Sequence, residues 1–194
     1  KLASKKNILL IEDSAECLGG TYKKKYSGSF GVGCFSFFPT KNITTTEGGM
    51  LTTNSKKDFE YVKKLIAHGI DKNLKKKPWH RVASLPGHNF RMPNHLAALG
   101  ISQLSRLKKF NKKRELVAKK YNNFFKNYPK LFEIQKVTKD FYHSYQMYSV
   151  IIKKKYRDNL ILFLNKNKIE ASCHFDPPLH MQKYMKKFKN KNLK

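Results

Sequence analysis

A continuous apolar run, Ile8-Leu9-Leu10-Ile11, ends directly in the two acids Glu12 and Asp13. An unbroken apolar run of this length is typical of a strand in a parallel sheet, which other elements cover on both faces. Open α/β sheets bind their ligands at the carboxyl ends of such strands. The sequence therefore predicts an α/β fold, with this strand buried in the sheet and Asp13 at the ligand-binding edge.

The rest of the chain predicts further strands and helices that alternate with turns. Further strands are predicted at 34–38, 50–53, 145–152 and 169–175. Predicted helices begin at a Ser55 cap, follow Pro93-Asn94, and cover 111–126 and 157–165. We therefore expect a first domain over 1–110 and a smaller α+β domain over 111–194 with a lysine-rich end.

The charge of the chain is strongly positive, with 41 Lys and Arg against 13 Asp and Glu and a formal net charge of +28. Only 5 of the 41 basic residues are arginine, whose planar fork pairs with guanine and phosphate. No motif of aromatic and basic residues accompanies the lysines, so we expect solvated lysine faces and no nucleic-acid partner. A basic nucleic-acid-binding module remains an alternative that the charge alone supports.

Apolar runs and cysteines limit the class of protein further. No apolar run approaches the ~20 residues that span a bilayer, so we expect no membrane partner. Cys17, Cys34 and Cys173 are odd in number and widely spaced, and no Cys-x-x-Cys motif occurs. This pattern argues against a disulfide scaffold and a zinc site, and it favours a reducing, cytoplasmic location.

Several stretches of the chain carry a resemblance to a known family. They are residues 11–19 (IEDSAECLG), 28–31 (GSFG), 34–49 (CFSFFPTKNITTTEGG), 68–69 (HG), 87–92 (GHNFRM) and 97–104 (AALGISQL). Together they resemble the DegT/DnrJ/EryC1/StrS family of pyridoxal-phosphate-dependent sugar aminotransferases. The resemblance implies the aspartate-aminotransferase fold, which is fold type I of the pyridoxal phosphate enzymes, with a mixed, mainly parallel sheet.

The resemblance also assigns the two predicted domains. Residues 1–110 correspond to the C-terminal portion of the large domain that binds pyridoxal phosphate, and 111–194 to part of the small C-terminal domain. Family members are considerably longer, and the part missing here is the N-terminal half of their large domain. Because that half supplies the first phosphate-binding turn and the residue that stacks on the cofactor ring, we expect the 194 residues alone to be inactive.

Lys41 and Asp13 are the residues to which the resemblance gives the chemistry. Lys41 matches the family lysine whose amine bonds to the cofactor aldehyde, although by composition it is one of many lysines that could be simply solvated. Asp13 matches the aspartate that keeps the pyridine nitrogen protonated. Its alternative is a structural role as a turn or helix-capping residue.

Three more positions match cofactor-binding residues of the family. Ser36 resembles the hydroxyl that binds the cofactor phosphate, and Asn89 resembles an asparagine that reaches the phosphate from the partner subunit. Glu16 stands where the family usually has Gln, and a Glu donates a hydrogen bond only when it is protonated. Each of the three could instead be an ordinary polar residue. His68, His174 and His180 could line a substrate cleft or be structural.

The function that the resemblance implies is transamination of a nucleotide-linked keto-deoxysugar, with glutamate as the amino donor and a homodimer that shares its active sites. Lysine at position 41 argues against the family's dehydratase branch, which has His there. The residues Thr46-Glu47-Gly48-Gly49 resemble members acting at the sugar's C4 more than those acting at C3. A non-catalytic or regulatory cofactor-binding homologue is the alternative, because of Glu16 and the absent N-terminal half.

Overall fold

In the computed structural model, which describes residues 2–188, the first strand of the sheet is shorter than the apolar run predicts. This strand, β1, covers Ile11–Asp13 and lies at the edge of its sheet. Ile8 and Leu9 precede it outside any strand, and their exposed fractions are 62% and 69%. The prediction of a strand covered on both faces is wrong for the described residues, which leave Leu10 and Ile11 with exposed fractions of 42% and 61%.

The helices and strands are numbered in chain order. The further strands are β2 (Thr21–Tyr22), β3 (Lys25–Tyr26), β4 (Val32–Ser36), β5 (Gly49–Thr52), β6 (Phe132–Ile134), β7 (Phe141–Tyr142) and β8 (Val150–Ile152). The α-helices are α1 (Leu2–Lys5), α2 (Lys56–Leu65), α3 (Asn94–Ser105), α4 (Leu107–Phe125) and α5 (Lys154–Lys166). Short 3-10 helices cover Lys72–Leu74, Leu179–Met181 and Lys183–Phe188.

The sheet that carries the predicted site has the order β1-β4-β5. β1 pairs with β4 in parallel, with Asp13 opposite Cys34, and β4 pairs with β5 antiparallel, with Ser36 opposite Gly49. The α/β fold with a mixed sheet is therefore confirmed. Because β1 and β4 are parallel, their carboxyl ends meet at the same edge, where Asp13 and Ser36 are the last strand residues.

Two smaller sheets accompany this one, and the pairings of β2 in the three-stranded sheet are antiparallel. β2 pairs with β3 in a hairpin and with β7 on its other side, and β6 pairs with β8. The predicted strand over 169–175 does not form, and of 145–152 only β8 is a strand. Sequence patterns report which residues suit a strand, but the hydrogen bonds also require a partner strand alongside.

Helix ends follow local signals closely. Ser55 caps α2, and its hydroxyl accepts a hydrogen bond from the Asp58 backbone N–H at 3.2 Å. Gly69 lies beyond the end of α2 with φ at +70°. The long basic helix begins at Leu107 rather than at residue 111, since Arg106 alone separates it from α3.

The described chain contains two compact units. The first comprises the residues up to Asn127 together with Ile134–Ser149, and the second comprises Tyr128–Glu133 and the chain from Val150 onwards. α4 thus falls in the first unit, whereas the predicted division at 110 assigns it to the second domain. In the described residues no helix combines the length and the apolar character needed to cross a bilayer.

Candidate active site

The loop that carries Lys41 is fastened at its base. It leaves β4 at Phe37 and returns at Gly48, and the Phe37 N–H donates to the Gly48 carbonyl at 2.9 Å. The Thr45 N–H donates to the Phe37 carbonyl at 3.0 Å. Phe37, Ile43 and Thr45 are buried, so the loop is packed on the protein on both sides of Lys41.

Gly48 shows why this loop ends in two glycines. Its φ is +140°, in a region that residues with a side chain rarely adopt. A Cβ at this position would lie 2.8 Å from the Met92 side chain and from the Thr45 hydroxyl. Gly49 then begins β5 directly against the Phe35 carbonyl. The backbone is therefore closely packed at the Glu47-Gly48-Gly49 turn, and a Cβ does not fit at either glycine.

Lys41 and Glu16 form an ion pair at the edge of the sheet. The Lys41 Nζ donates to Oε1 of Glu16 at 2.8 Å, and the exposed fractions of the two side chains are 16% and 46%. Glu16 lies in the turn after β1, while Lys41 lies in the loop after β4. The structure thus brings together two of the residues that the sequence predicted for the site.

Asp13 and Ser36 lie at the same edge. Asp13 ends β1, and its Oδ1 accepts a hydrogen bond from the Ala15 N–H at 3.2 Å. Ser36 ends β4, and its Oγ accepts from the Phe38 N–H at 3.3 Å. Both side chains make only these local bonds among the described residues, which leaves polar atoms of both available to a ligand.

Glu12 has a different role from its neighbour. Its carboxylate accepts three backbone hydrogen bonds, from the Gly28 N–H at 2.9 Å, the Phe30 N–H at 2.7 Å and the Gly31 N–H at 2.9 Å. These bonds hold the loop between β3 and β4 against β1. Of the two acids that end the apolar run, Glu12 is used to hold this loop, whereas Asp13 accepts only the local Ala15 bond among the described residues.

Asn89 lies elsewhere in the first unit. It bridges Ala67 and lines a groove of about 940 Å³ with the Glu47–Gly49 turn and Met92. Within residues 2–188 it makes no hydrogen bond or ion pair to Lys41 or Glu16. The structure therefore does not join Asn89 to the Lys41 group within one chain.

The three candidate histidines are divided between the two units. His68 has φ at +61°, and its N–H donates to the His88 carbonyl at 2.9 Å in the first unit. His174 and His180 belong to the second unit. Across the described residues no cluster of three or more His, Cys, Asp or Glu could hold a metal ion.

The sequence did not identify the residues from distant parts of the chain that hold the Lys41 loop. Asn42 Nδ2 donates to Asn111 Oδ1 at 2.7 Å and to the Ser144 carbonyl at 2.9 Å. Gln146 Nε2 donates to the Thr40 carbonyl at 3.0 Å. These partners are 69 to 106 positions away in the chain, so no local spacing pattern could have found them.

A half-buried histidine, His143, lies beside the segment that holds the Lys41 loop. The His143 Nδ1 accepts a hydrogen bond from the Tyr145 N–H at 2.8 Å. Burial lowers the pKa of His143 below its ordinary value of 6.5, because the charged imidazolium is poorly solvated there. A neutral imidazole with Nδ1 as acceptor is the form that this hydrogen bond requires.

The donor set at the sheet edge fits the cofactor that the resemblance implies. Pyridoxal phosphate has an aldehyde, a pyridine nitrogen and a phosphate, which require an amine, a carboxylate and hydrogen-bond donors respectively. Lys41, Asp13 and Ser36 provide an amine, a carboxylate and a hydroxyl at one edge. These residues could therefore hold the cofactor by three of its groups.

Comparison with known proteins gives consistent matches along the whole chain. The model of the DegT/DnrJ/EryC1/StrS aminotransferase family matches residues 1–194. GDP-perosamine synthase of Escherichia coli O157:H7 is 36% identical over 192 residues, covering 96% of this chain and 50% of the relative. UDP-4-amino-4,6-dideoxy-N-acetyl-beta-L-altrosamine transaminase of Helicobacter pylori is 33% identical over 198 residues, covering 100% of this chain and 52% of the relative.

A solved structure agrees with these sequence matches. Helicobacter pylori PseC, described as an aminotransferase involved in the biosynthesis of pseudoaminic acid, superposes with a TM-score of 0.85 at 30% identity. The match covers 96% of this chain and 50% of that one. The chain thus spans about half the length of the curated relatives and of the solved structure it matches.

Proposed function

The chain belongs to the DegT/DnrJ/EryC1/StrS aminotransferase family, and from that premise we propose that the whole protein is a pyridoxal-phosphate-dependent transaminase of a nucleotide-linked keto-deoxysugar. Enzymes of this family use pyridoxal phosphate, and the matched relatives include nucleotide-sugar aminotransferases. The observation that carries the proposal is the largely covered Lys41 amine, at the sheet edge that also presents Asp13 and Ser36.

Each residue at this edge has a defined task in the proposal. Lys41 would hold the cofactor through its aldehyde carbon, Asp13 would face the pyridine nitrogen, and Ser36 would donate to the phosphate. When bound, pyridoxal phosphate supplies a carrier for the amino group and a ring that withdraws electrons from the substrate carbon. Once the amino group of the donor has displaced Lys41 Nζ from the aldehyde carbon, the freed amine would act as the general base that takes the proton from the carbon bearing the amino group.

Glu16 controls where the Lys41 amine lies before the cofactor arrives. Its ionised carboxylate accepts the hydrogen bond from Lys41 and keeps the amine at the sheet edge. An ionised Glu cannot donate to a ligand oxygen, as the usual Gln of the family can. Glu16 therefore serves as an anchor for the amine rather than as a donor to the cofactor.

The proposal includes the reacting carbon and the amino donor. We assign amination to the sugar's C4, which the 4-amino product named for the Helicobacter pylori relative supports, together with the Thr46-Glu47-Gly48-Gly49 turn. Glutamate is the proposed amino donor. The product is then a 4-amino sugar, with no loss of a sugar hydroxyl as in a dehydratase.

The whole protein is proposed to be a homodimer that shares its active sites. Asn89 is exposed and does not contact the Lys41 group of its own chain, which supports a role toward the site of a partner subunit. The expected result is a dimer in sedimentation experiments and weaker cofactor binding in Asn89→Ala with unchanged folding. A fully active monomer would contradict this assignment.

The proposed location is the cytoplasm. The thiols of Cys17, Cys34 and Cys173 are all free, and none is fully buried. Free, partly accessible thiols are stable in a reducing compartment. This location also supplies both proposed substrates, a nucleotide-linked sugar and glutamate.

The experiment that tests the function uses the full-length protein. It is loaded with pyridoxal phosphate and reduced with borohydride, and peptide mass spectrometry locates the attached cofactor. We expect the label on Lys41, none in Lys41→Ala, and an unchanged label in the matched surface variant Lys119→Ala. Turnover is then followed as amino-sugar formation from glutamate and a nucleotide-linked 4-keto sugar. A label that persists in Lys41→Ala would overturn the proposal.

A further inference from the structure

The two chain neighbours of Lys41 are held by one distant segment, residues 144–146. On one side, the Thr40 carbonyl accepts a hydrogen bond from Gln146 Nε2 at 3.0 Å. On the other side, Asn42 Nδ2 donates to the Ser144 carbonyl at 2.9 Å. The loop does not need these bonds to close, since the bonds between Phe37 and Gly48 already close it. They restrain the position of Lys41 itself.

A buried amide network extends this restraint to the Glu16 turn. Asn42 Nδ2 also donates to Asn111 Oδ1 at 2.7 Å, and Asn111 Nδ2 donates to the Leu18 carbonyl at 3.0 Å. The exposed fractions of Asn42 and Asn111 are 5% and 2%. The Ser144 hydroxyl donates to the Glu16 carbonyl at 3.3 Å. One network thus holds the backbones on both sides of the Lys41–Glu16 ion pair.

Helix α4 supports the distant segment. Arg114 Nη1 donates to the Tyr145 carbonyl at 3.2 Å and to the Gln146 carbonyl at 2.9 Å. Arg114 lies three residues after Asn111, so both side chains leave the same face of the helix. Tyr145 has φ at +46°, a conformation that a residue with a side chain keeps only where its surroundings hold it. The segment is therefore fixed by α4.

The network is not arranged for stability alone. Buried amides are favourable only when their polar atoms are paired, because an unpaired polar atom loses its hydration without compensation. Asn42 Oδ1 and Gln146 Oε1 are buried and have no hydrogen-bond partner among the described residues. Apolar side chains could fill the same space without this cost. They would lack the directional hydrogen bonds that hold the Lys41 loop in one position.

We propose that Asn111 and Gln146 are positioning residues for Lys41, acting through Asn42 and Thr40 to keep its amine beside Glu16 and in line for the cofactor aldehyde. The inference rests on the proposed function, because it takes Lys41 as the residue that bonds to pyridoxal phosphate. It adds residues outside the sheet edge to the machinery of that reaction. Neither residue makes a hydrogen bond to the Lys41 side chain among the described residues, and both would act through the neighbours of Lys41 in the chain.

The test measures cofactor capture by full-length apoenzyme at increasing pyridoxal phosphate concentrations. The half-saturating concentration reports the initial complex, and the limiting rate constant reports bond formation by Lys41. We expect Asn111→Ala and Gln146→Ala to lower the limiting rate constant roughly tenfold to hundredfold, because misplacement by about 1 Å has effects of that size. The half-saturating concentration should stay within about twofold, since Asp13 and Ser36 are unchanged.

The matched control is Ala118→Gly, at another buried position of α4. Glycine there should destabilise the helix several-fold in its folding equilibrium relative to alanine. The substitution leaves the amide network intact. We expect a lower melting temperature with a wild-type limiting rate constant. Gln146→Ala changes no helix residue and keeps the test decisive if Asn111→Ala fails to fold.

The possible results separate this inference from the proposed function. If wild-type protein captures the cofactor and both amide variants do so at the wild-type rate, the positioning role is overturned and the proposed function stands. A slowing of equal size in Ala118→Gly also overturns it, since the effect would then come from α4 as a whole. If wild-type protein never attaches the cofactor to Lys41, the proposed function falls and this inference falls with it.

Discussion

The Nζ of Lys41 lies 2.8 Å from Oε1 of Glu16, although 25 positions separate the two residues in the chain. Parallel pairing of β1 with β4 explains this proximity, because the turn after one strand and the loop after the other emerge at the same sheet edge. The Lys41 ammonium must give up a proton and this hydrogen bond before its nitrogen can bond to another group. We therefore expect Glu16 to set how readily Lys41 becomes available.

The first prediction concerns Glu16→Gln in the full-length protein. A neutral amide holds the Lys41 amine less strongly than a carboxylate does, by about 0.5–1 kcal/mol for a pair this exposed. We expect the attachment of pyridoxal phosphate to accelerate roughly twofold to fivefold. Stopped-flow absorbance at saturating cofactor measures the rate. Glu60→Gln, on the exposed face of α2, serves as the control, and equal rates in all three proteins would contradict the anchoring role.

The second prediction separates the two adjacent acids. Glu12→Gln should lower the free energy of unfolding by roughly 2 kcal/mol, because it weakens a charged acceptor of three backbone hydrogen bonds. Asp13→Asn should change stability by less than about 0.5 kcal/mol. Cofactor affinity should respond in the opposite order, with Asp13→Asn reducing it at least roughly fivefold. Thermal melts and cofactor titrations of both variants measure the two effects, and equal losses of stability would be inconsistent with this division.

The third prediction concerns acid stability and Asp71, a buried residue at the start of the loop after α2. Hydrogen bonds from the Lys64 ammonium and from the Asn73 N–H lower the pKa of Asp71 below its ordinary value of 3.8. A carboxyl whose pKa is depressed on folding stabilises the fold above pH 3.8, and this contribution is lost as the pH falls through the lower value. Wild-type protein should therefore lose stability below about pH 4 more steeply than Asp71→Asn.

The measurement for Asp71 is the difference in melting temperature between wild type and Asp71→Asn as a function of pH. Hydrogen bonds to basic side chains also lower the pKa values of Glu115 and Asp158, but both proteins share those groups. The difference should be constant near neutral pH and should shrink toward low pH. A difference that stays constant through the acid range would rule out the role assigned to the Lys64–Asp71 pair.

The fourth prediction concerns His143, whose pKa burial lowers below 6.5. Between that lowered value and 6.5 the unfolded chain binds more protons than the native one, so stability falls as the pH is lowered through this window. His143→Asn keeps an acceptor near the position of Nδ1 and removes the titration. Melting temperatures between about pH 7 and pH 5 should therefore fall less for the variant than for wild type. Parallel curves would show that His143 does not contribute.

Local signals explain what the sequence could predict of the fold. The Ser55 cap of α2 acts within a few residues and lies where it was predicted, and the strand predicted at 50–53 forms as β5 within one residue. The strand over 169–175 was wrong because a strand depends on a distant partner. The predicted burial of Ile8–Ile11 was also wrong for the described residues, where the exposed fractions are 42% to 69%, because burial depends on distant elements that pack on the faces of the sheet.

The residues of the candidate site likewise include some that motifs identified and one, Asn111, that only the structure identifies. Motif context placed Lys41, Glu16, Asp13 and Ser36 in the site, and parallel pairing of two strands accounts for their common edge. Their roles toward the cofactor stay predictions. Asn111 could not be found from the sequence, because it lies on a helix rich in lysine and its contact with Asn42 spans 69 positions. Contacts of this kind depend on the packing of α4, which no short motif encodes.

The three hydrogen bonds to the Glu12 carboxylate have a consequence for the fidelity of folding. Successive strand residues point to opposite faces, and a shift of β1 by one position would put Glu12 in the place of Asp13 and Ile11 in the place of Glu12. Such a misaligned chain would still present a carboxylate at the sheet edge, so the charge at that edge would not distinguish it from the correct fold. In that register the Gly28, Phe30 and Gly31 amides would face Ile11 and lose their carboxylate acceptor, so these bonds favour the one alignment of β1 that places Asp13 at the sheet edge.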